Sequence, residues 1–255
     1  MSESHEVTPP TDDDVYNDEK ADIVLVSSDN IAFKVHRYYL QAHSSVFRSM
    51  ILDTSDSEVN KKVELTDTQI EHSSTIRIFL DAVYSKPLAL IRDSLGPFRN
   101  CIQFARKFDC ETLLVVLRAL AAQFLDQRIS PHYIFIIAAE LGDIDLAART
   151  IASKADHGWH WSTDKDIPDP PPRWRTSEES KLEQSGGLGE NAGAGVLEVT
   201  SWPIWELQRV PLPYVVALMK TGRVYDLSQD AKNGQAASAH FKELMNEWQQ
   251  QQASC

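Results

Sequence analysis

Three groups of residues have the types and spacing that could carry out chemistry. Residues 187–192 read Gly-Leu-Gly-Glu-Asn-Ala and fit the G-x-G-x-x-A pattern of a dinucleotide-binding loop. His157 and His160 lie three residues apart and could share a metal ion. Asp109 and Glu111 could act as an acid and base pair. Each of these readings needs a particular structural context around the motif.

None of the three motifs has that context in the sequence. A dinucleotide loop must follow a strand and open a helix, but polar residues precede this loop and more glycines follow it. The two histidines have no cysteine or acidic partner at matching spacing, and their neighbours Trp159 and Trp161 favour a packed or solvent-edge helix end. The two carboxylates are two positions apart, so they would point apart on a helix. We therefore predict no enzyme, no cofactor and no metal.

The composition excludes further classes of function. The chain has 255 residues, of which 42% are hydrophobic, and its formal net charge is -12. Such an acidic balance argues against binding nucleic acid or an anionic membrane, because both require clusters of Lys and Arg. Cys101, Cys110 and Cys255 form no CxxC pair and are expected to be reduced. With no signal-peptide pattern and no apolar run near ~18 residues, we expect an intracellular soluble protein of the cytoplasm, the nucleus or both.

The chain is organised around a stretch near its start. Two runs of β-forming residues, 23–26 and 31–35, flank a polar turn at 27–30 and predict a hairpin. After His36 the apolar period changes from two to about 3.6, which predicts two short helices with a start signal at Ser44-Ser45. Apolar residues recur at helical spacing further along, most clearly at Ile76, Phe79, Leu80 and Val83.

The order and spacing of these residues resemble the opening of a BTB/POZ domain, in the form common in fungal BTB proteins. The resemblance extends from residue 22 to about residue 127. It implies an α+β fold, in which a small mixed β-sheet packs with a cluster of short helices and is followed by an all-helical extension. The residues that carry it as a structural signature are His36, Leu40, Ser45 and Val46.

We predict five segments from this resemblance and from local composition. Residues 1–20 are an acidic leader, expected to be disordered because few apolar residues are present to offset the entropy of ordering. Residues 21–127 form the BTB/POZ domain, and residues 128–160 form the helical extension. Residues 161–195 are rich in Pro and Gly and read as a flexible linker. Residues 196–250 contain helices that are expected to pack back on the extension.

The resemblance also implies which residues meet a partner. The candidates for a dimer interface are Asp22, Arg37, Tyr38, Tyr39, Phe47, Met50 and Ile51. In related animal proteins an Asp before the first strand and an Arg after the His form a buried charged pocket between the two copies. Asp22 and Arg37 occupy these positions. Alternatively, Asp22 caps the local turn and Arg37 lies at the surface.

We therefore expect a non-catalytic protein–protein interaction module, a scaffold or regulator that forms homo- or hetero-oligomers. Its expected partner is a second copy or another BTB protein. The alternative is a substrate adaptor for a cullin-type E3 ubiquitin ligase. Adaptors of this class usually carry a hydrophobic-x-acid motif, and the aligned residues Ser55-Asp56-Ser57 lack both the hydrophobic anchor and the acid. Transcriptional regulation would have to act through a partner, since no DNA-binding element is present.

Overall fold

The computed structural model describes residues 8–52, 61–88, 95–126, 131–153, 199, 202, 204–225 and 233–254. The chain divides into two compact units, residues 1–116 and 117–255, with the division inside one helix. Several sequence predictions lie outside the described residues: the glycine loop 187–192, His157 and His160, the aligned motif at 55–57 and the linker 161–195.

The first unit contains a four-stranded mixed sheet. Its strands are β1 (Thr11–Asn17), β2 (Ile23–Val26), β3 (Ile31–Val35) and β4 (Lys61–Glu64). The strand order is β1-β3-β2-β4, with an antiparallel pair in the centre and a parallel strand on each side. The predicted hairpin is confirmed. Its turn is closed by the N–H of Ser27, which donates to the carbonyl of Ile31 at 2.9 Å, and Asn30 adopts a left-handed φ of 63°.

Short helices complete the first unit around an aromatic core. They are α1 (Arg37–His43), α2 (Ser45–Leu52), α3 (Ser73–Val83), α4 (Leu95–Lys107) and α5 (Glu111–Ala121), which contains the division between the units. Phe47 of α2 lies 6.0 Å from Phe79 of α3 and 6.4 Å from Phe104 of α4, measured between ring centroids. It also stacks on Phe108 at 4.5 Å. The side chain of Phe47 therefore connects α2, α3 and α4 within the core.

Ser44 supplies the start signal that the sequence predicts for α2. Its hydroxyl oxygen accepts the N–H of Phe47 at 2.9 Å, which satisfies one of the amides left without a partner at the start of the helix. The same hydroxyl donates to the carbonyl of Phe108 at 2.5 Å. Ser44 is 1% exposed. One buried side chain thus caps α2 and links it to the end of α4.

Strand β1 corrects the prediction that residues 1–20 are disordered, for the part of that range from Thr11 to Asn17. Tyr16 is 4% exposed and its hydroxyl donates to the carboxylate of Asp81 at 2.7 Å. Asp13 is also buried, where it accepts backbone N–H groups of its own strand and forms an ion pair with Arg77. These partners lie more than sixty residues further along the chain. The acidic strand is ordered because it pairs with β3 and because Arg77 of α3 neutralises its buried carboxylate.

Arg77→Gln is expected to loosen β1. The buried carboxylate of Asp13 would lose its cation, and leaving a buried charged group unsatisfied typically costs about 1–3 kcal/mol. Hydrogen–deuterium exchange of the β1 amides should accelerate in this variant, while the amides of β2 keep their protection. Equal protection of β1 in the variant and the wild type would contradict the assignment.

The matched control is Lys34→Gln, which removes the 2.8 Å ion pair between Lys34 and Asp12 in the same sheet. Neither group of that pair is buried, whereas Asp13 is, so the change is expected to alter stability by less than about 1 kcal/mol. Acid should act on β1 in the same direction as Arg77→Gln. The hydrogen bond from Arg77 lowers the pKa of Asp14, so the stabilisation is present at neutral pH and is lost as the pH falls through that lowered value.

The second unit is helical over its described residues, and the α+β fold class is confirmed. Its helices are α6 (Pro131–Leu141), α7 (Ile144–Ala152), α8 (Ile204–Leu207), α9 (Leu212–Val224) and α10 (Asn233–Ala253). Ten of the eleven residues of α6 are buried, all except Tyr133, so this helix forms the centre of the unit. Gly142 ends it with a φ of 71°, and Asp143 caps α7 by accepting the N–H of Leu146 at 2.8 Å.

Helix α10 packs closely against α7. The hydroxyl of Ser238 donates to the carbonyl of Ala148 at 2.7 Å. At Gly234 an added Cβ would lie 3.5 Å from the backbone of Ile151 and of Ala152, so the two helices approach within van der Waals distance there. On its buried face α10 places Phe241 at 5.6 Å from Phe135 of α6.

Candidate interaction site

Helix α1 begins without a cap from its own N-cap residue. The side chain of His36 makes no capping hydrogen bond. Instead, Asp22 accepts the backbone N–H of Arg37 at 2.7 Å with one carboxylate oxygen and the Nε–H of Arg37 at 2.8 Å with the other. A carboxylate at this position satisfies an orphan amide and interacts favourably with the helix dipole. Asp22, at the entrance to β2, thereby fixes the point where α1 leaves the sheet.

The Asp22–Arg37 pair is half-buried. The side chain of Asp22 is 39% exposed and that of Arg37 is 35% exposed. From the sequence alone, the two residues could form either a buried charged pocket or a local cap beside a surface arginine. In this chain the two residues form an ion pair that caps α1 and remains accessible to solvent.

His36 connects the end of β3 to the end of α3. Its backbone N–H donates to the hydroxyl of Tyr84 at 2.8 Å, and its Nδ1 lies 3.3 Å from the same oxygen. Its Nε2 lies 3.7 Å from the carboxylate of Asp18. Burial raises the pKa of Tyr84, so its phenol stays neutral at physiological pH.

A row of tyrosines runs from solvent into the first unit. Tyr38 is 72% exposed and meets Tyr39 edge-on at 5.6 Å between ring centroids. Tyr39 stacks on Tyr84 at 4.1 Å, and Tyr84 contacts buried Tyr16 at 5.4 Å. Each contact has the offset or edge geometry that aromatic pairs favour. The exposed ring of Tyr38 is therefore supported from below by packed side chains.

Two of the predicted interface residues are in the core. Phe47 is 0% exposed and Ile51 is 5% exposed, so both pack inside the chain and are corrected as partner contacts. They are four residues apart and share the inner face of α2. Met50 remains on the surface at 40% exposure. Leu52, which we did not predict, is 68% exposed. Leu52 directly follows Ile51, and one step along the helix turns its side chain away from the core. This position is the signal from which its exposure could have been predicted.

The signature residues position this region. Leu40 is fully buried and anchors α1, while Val46 is half-buried on α2. The hydroxyl of Ser45 donates to the carboxylate of Asp109, which follows α4 with a left-handed φ of 51°. Asp109 therefore has a structural partner in place of the acid–base role considered from the sequence.

Among the residues that the structure describes, no group of three or more His, Cys, Asp or Glu side chains is arranged to hold a metal ion. Cys101 and Cys110 are buried free thiols. Burial raises the pKa of Cys101 and raises the pKa of Cys110 to about 12, which keeps both protonated at neutral pH. No helix in the described part of the chain is long and apolar enough to span a bilayer.

The first unit thus combines a four-stranded mixed sheet, a cover of short helices, and exposed apolar side chains on the two helices that follow the capping ion pair. The sequence model of the BTB/POZ domain family matches residues 14–124, so this chain contains a BTB/POZ domain. The match begins inside β1, in agreement with the ordered strand found there. Domains of this family mediate protein–protein interaction and oligomerisation, and they are typically non-catalytic. A search of curated proteins found no match to the chain.

Asp22→Ala is expected to lower the free energy of unfolding by about 1 kcal/mol, the usual effect of removing a helix cap. Asp22→Asn keeps an oxygen that can accept the N–H of Arg37, so its effect should be smaller. Urea denaturation of both variants measures the difference. Glu19→Ala, an exposed change of the same charge in the preceding turn, is the control and should match the wild type. An Asp22→Ala protein as stable as this control would show that the cap contributes nothing.

Proposed function

We propose that this chain is a non-catalytic scaffold or regulator that pairs with a second copy, or with another BTB protein, through the outer surfaces of α1 and α2. The observation that carries the proposal is the exposure of Tyr38, Met50 and Leu52 at 72%, 40% and 68%. A single exposed apolar side chain is ordinary on a protein surface. Three on two adjoining helices of an oligomerising domain favour an interface.

The backbone that presents these side chains is held in place before any partner arrives. The guanidinium of Arg48 on α2 donates to the carbonyl of Gln41 on α1 at 3.0 and 2.8 Å. Leu40 and Phe47 anchor the inner sides of the two helices in the core. Association of a preorganised surface loses less conformational entropy than association of a mobile one.

The net charges of two copies oppose their association, but the charges beside α1 and α2 do not. Two copies with a formal net charge of -12 repel each other. That repulsion is screened beyond roughly 8 Å at physiological ionic strength. Asp22 and Arg37 neutralise each other within one copy. Apolar contact beside this pair therefore leaves neither of these two charges unpaired in the interface.

Tyr38→Asp is expected to weaken self-association of the full chain at least tenfold, because a charge placed in an apolar contact must lose its hydration. Met50→Asp should act in the same direction. Multi-angle light scattering over a concentration series up to ~100 μM, well above typical micromolar affinities, measures the change.

The matched control for these variants is Val115→Asp, since Val115 is 61% exposed on α5 in the same unit. It introduces the same charge into an exposed apolar position on a helix other than α1 and α2. Equal weakening by Val115→Asp and Tyr38→Asp would point to a general charge effect and contradict the proposed surface.

The adaptor alternative predicts a different partner for the same region. Met50 and Leu52 lie at the end of α2, and a cullin that bound there would be lost on changing both to Asp. Affinity purification of the full chain from cells, with and without the double change, discriminates between the two functions. Recovery of a cullin only with the wild-type chain would favour the adaptor. A homo-oligomer without a cullin would favour the scaffold.

A further inference from the structure

An apolar groove of about 320 Å³ lies between α9 and α10 in the second unit. Its walls include Leu212, Val216 and Lys220 from α9, and Leu244, Glu247 and Trp248 from α10. Leu212 is 72% exposed, Val216 40% and Trp248 38%. Large apolar side chains are thus held at the surface along both edges of one groove.

These residues are not part of the core of the unit. The inner face of α9 is formed by Tyr214, Ala217, Leu218 and Thr221, each at most 5% exposed. On α10 the inner face is formed by Phe241 and Met245, at 0% and 1% exposure. Both helices are therefore anchored without the outer apolar residues. Met219 and Val224, at 51% and 63% exposure, extend the exposed apolar surface along α9.

The groove carries one charge of each sign. Lys220 lies on the α9 wall and Glu247 on the α10 wall. Within the described part of the chain, the structure records no ion pair for either side chain, whereas nearby Lys242 pairs with Asp145 at 2.5 Å. An apolar centre with two opposite charges on its rim is the usual composition of a protein-binding surface.

We propose that the occupant of this groove is the same groove of a second copy of this chain, related by a two-fold axis. In such an interface one patch must be complementary to itself. Leu212 and Trp248 project from the rim of each copy, and the groove of the other copy receives these side chains. The two-fold axis also pairs Lys220 of each copy with Glu247 of the other. The interface therefore contains the pair of Lys220 and Glu247 twice.

The groove is formed by residues other than those of α1 and α2, so the proposal does not depend on the function proposed above. Dimerisation through the groove can be measured by itself in the full chain carrying Tyr38→Asp. Sedimentation velocity over a concentration series should then still detect a dimer. A monomer at every concentration up to ~100 μM in this background, well above typical micromolar affinities, would overturn the proposal.

The charges provide the sharper test. Lys220→Glu places two acids opposite each other at both contacts, and Glu247→Lys places two lysines there. Each variant alone should weaken dimerisation about tenfold or more, because two attractive pairs become repulsive. An equimolar mixture of the two variants should restore it, since every contact then joins an acid to a lysine. Repulsion within one chain, the competing explanation, cannot be relieved by mixing.

The control is Glu243→Lys, an equal change of charge on the exposed side of α10 that does not line the groove. It should leave dimerisation at the level of the Tyr38→Asp background. Val216→Asp should abolish dimerisation without altering the thermal unfolding midpoint, because Val216 is on the outer face. Single charge variants without effect, or a mixture that fails to restore the dimer, would show that a different protein or no protein fills the groove. The proposed α1–α2 interface has failed if Tyr38→Asp leaves association of the otherwise wild-type chain unchanged, or weakens it no more than Val115→Asp does.

Discussion

The packing of Phe47 determines which side of α2 reaches solvent. Its ring is nearly parallel to that of Phe108, with centroids 4.5 Å apart and an interplanar angle of 6°. Aromatic pairs of this kind contribute about 0.5–1.5 kcal/mol beyond the area they bury. With Phe47 committed to the core, the helical period brings Ile51 to the same side and turns Met50 and Leu52 outward. The exposed apolar surface is therefore a direct consequence of how the aromatic core is filled.

The two helices that carry this surface are both fixed by contacts with distant parts of the first unit. Asp22 caps α1 from the entrance to β2. Ser44 caps α2 and also bonds to the carbonyl of Phe108, sixty-four residues away in sequence. Neither helix has more than eight residues, a length that is marginal for an isolated helix. Their order therefore derives from tertiary contacts, so a stable core is needed for a defined interaction surface.

The features predicted correctly from the sequence are those with local signals, such as the hairpin turn and the cap at Ser44. Strand β1 could not be predicted, because the partners of Tyr16 and Asp13 lie on α3, far along the chain. The interface prediction was wrong for Phe47 and Ile51 for a different reason. Helical periodicity shows which residues share a face, but only the packed structure shows which face meets the core. Trp248 illustrates the same limit, since it shares helical spacing with buried Phe241 yet is 38% exposed.

A chain with two self-complementary surfaces would form assemblies larger than a dimer, which neither surface can form alone. An isologous contact uses one patch on each copy, so a chain with a single such surface stops at the dimer. A chain with a second, different two-fold surface retains an unoccupied patch on each copy of every dimer. Association then continues until the geometry closes a ring, or proceeds as an open filament. Assembly size would depend on the weaker of the two contacts, and pairing of Lys220 with Glu247 would make the groove contact sensitive to ionic strength. A scaffold built in this way could change its extent without any change in the BTB/POZ domain.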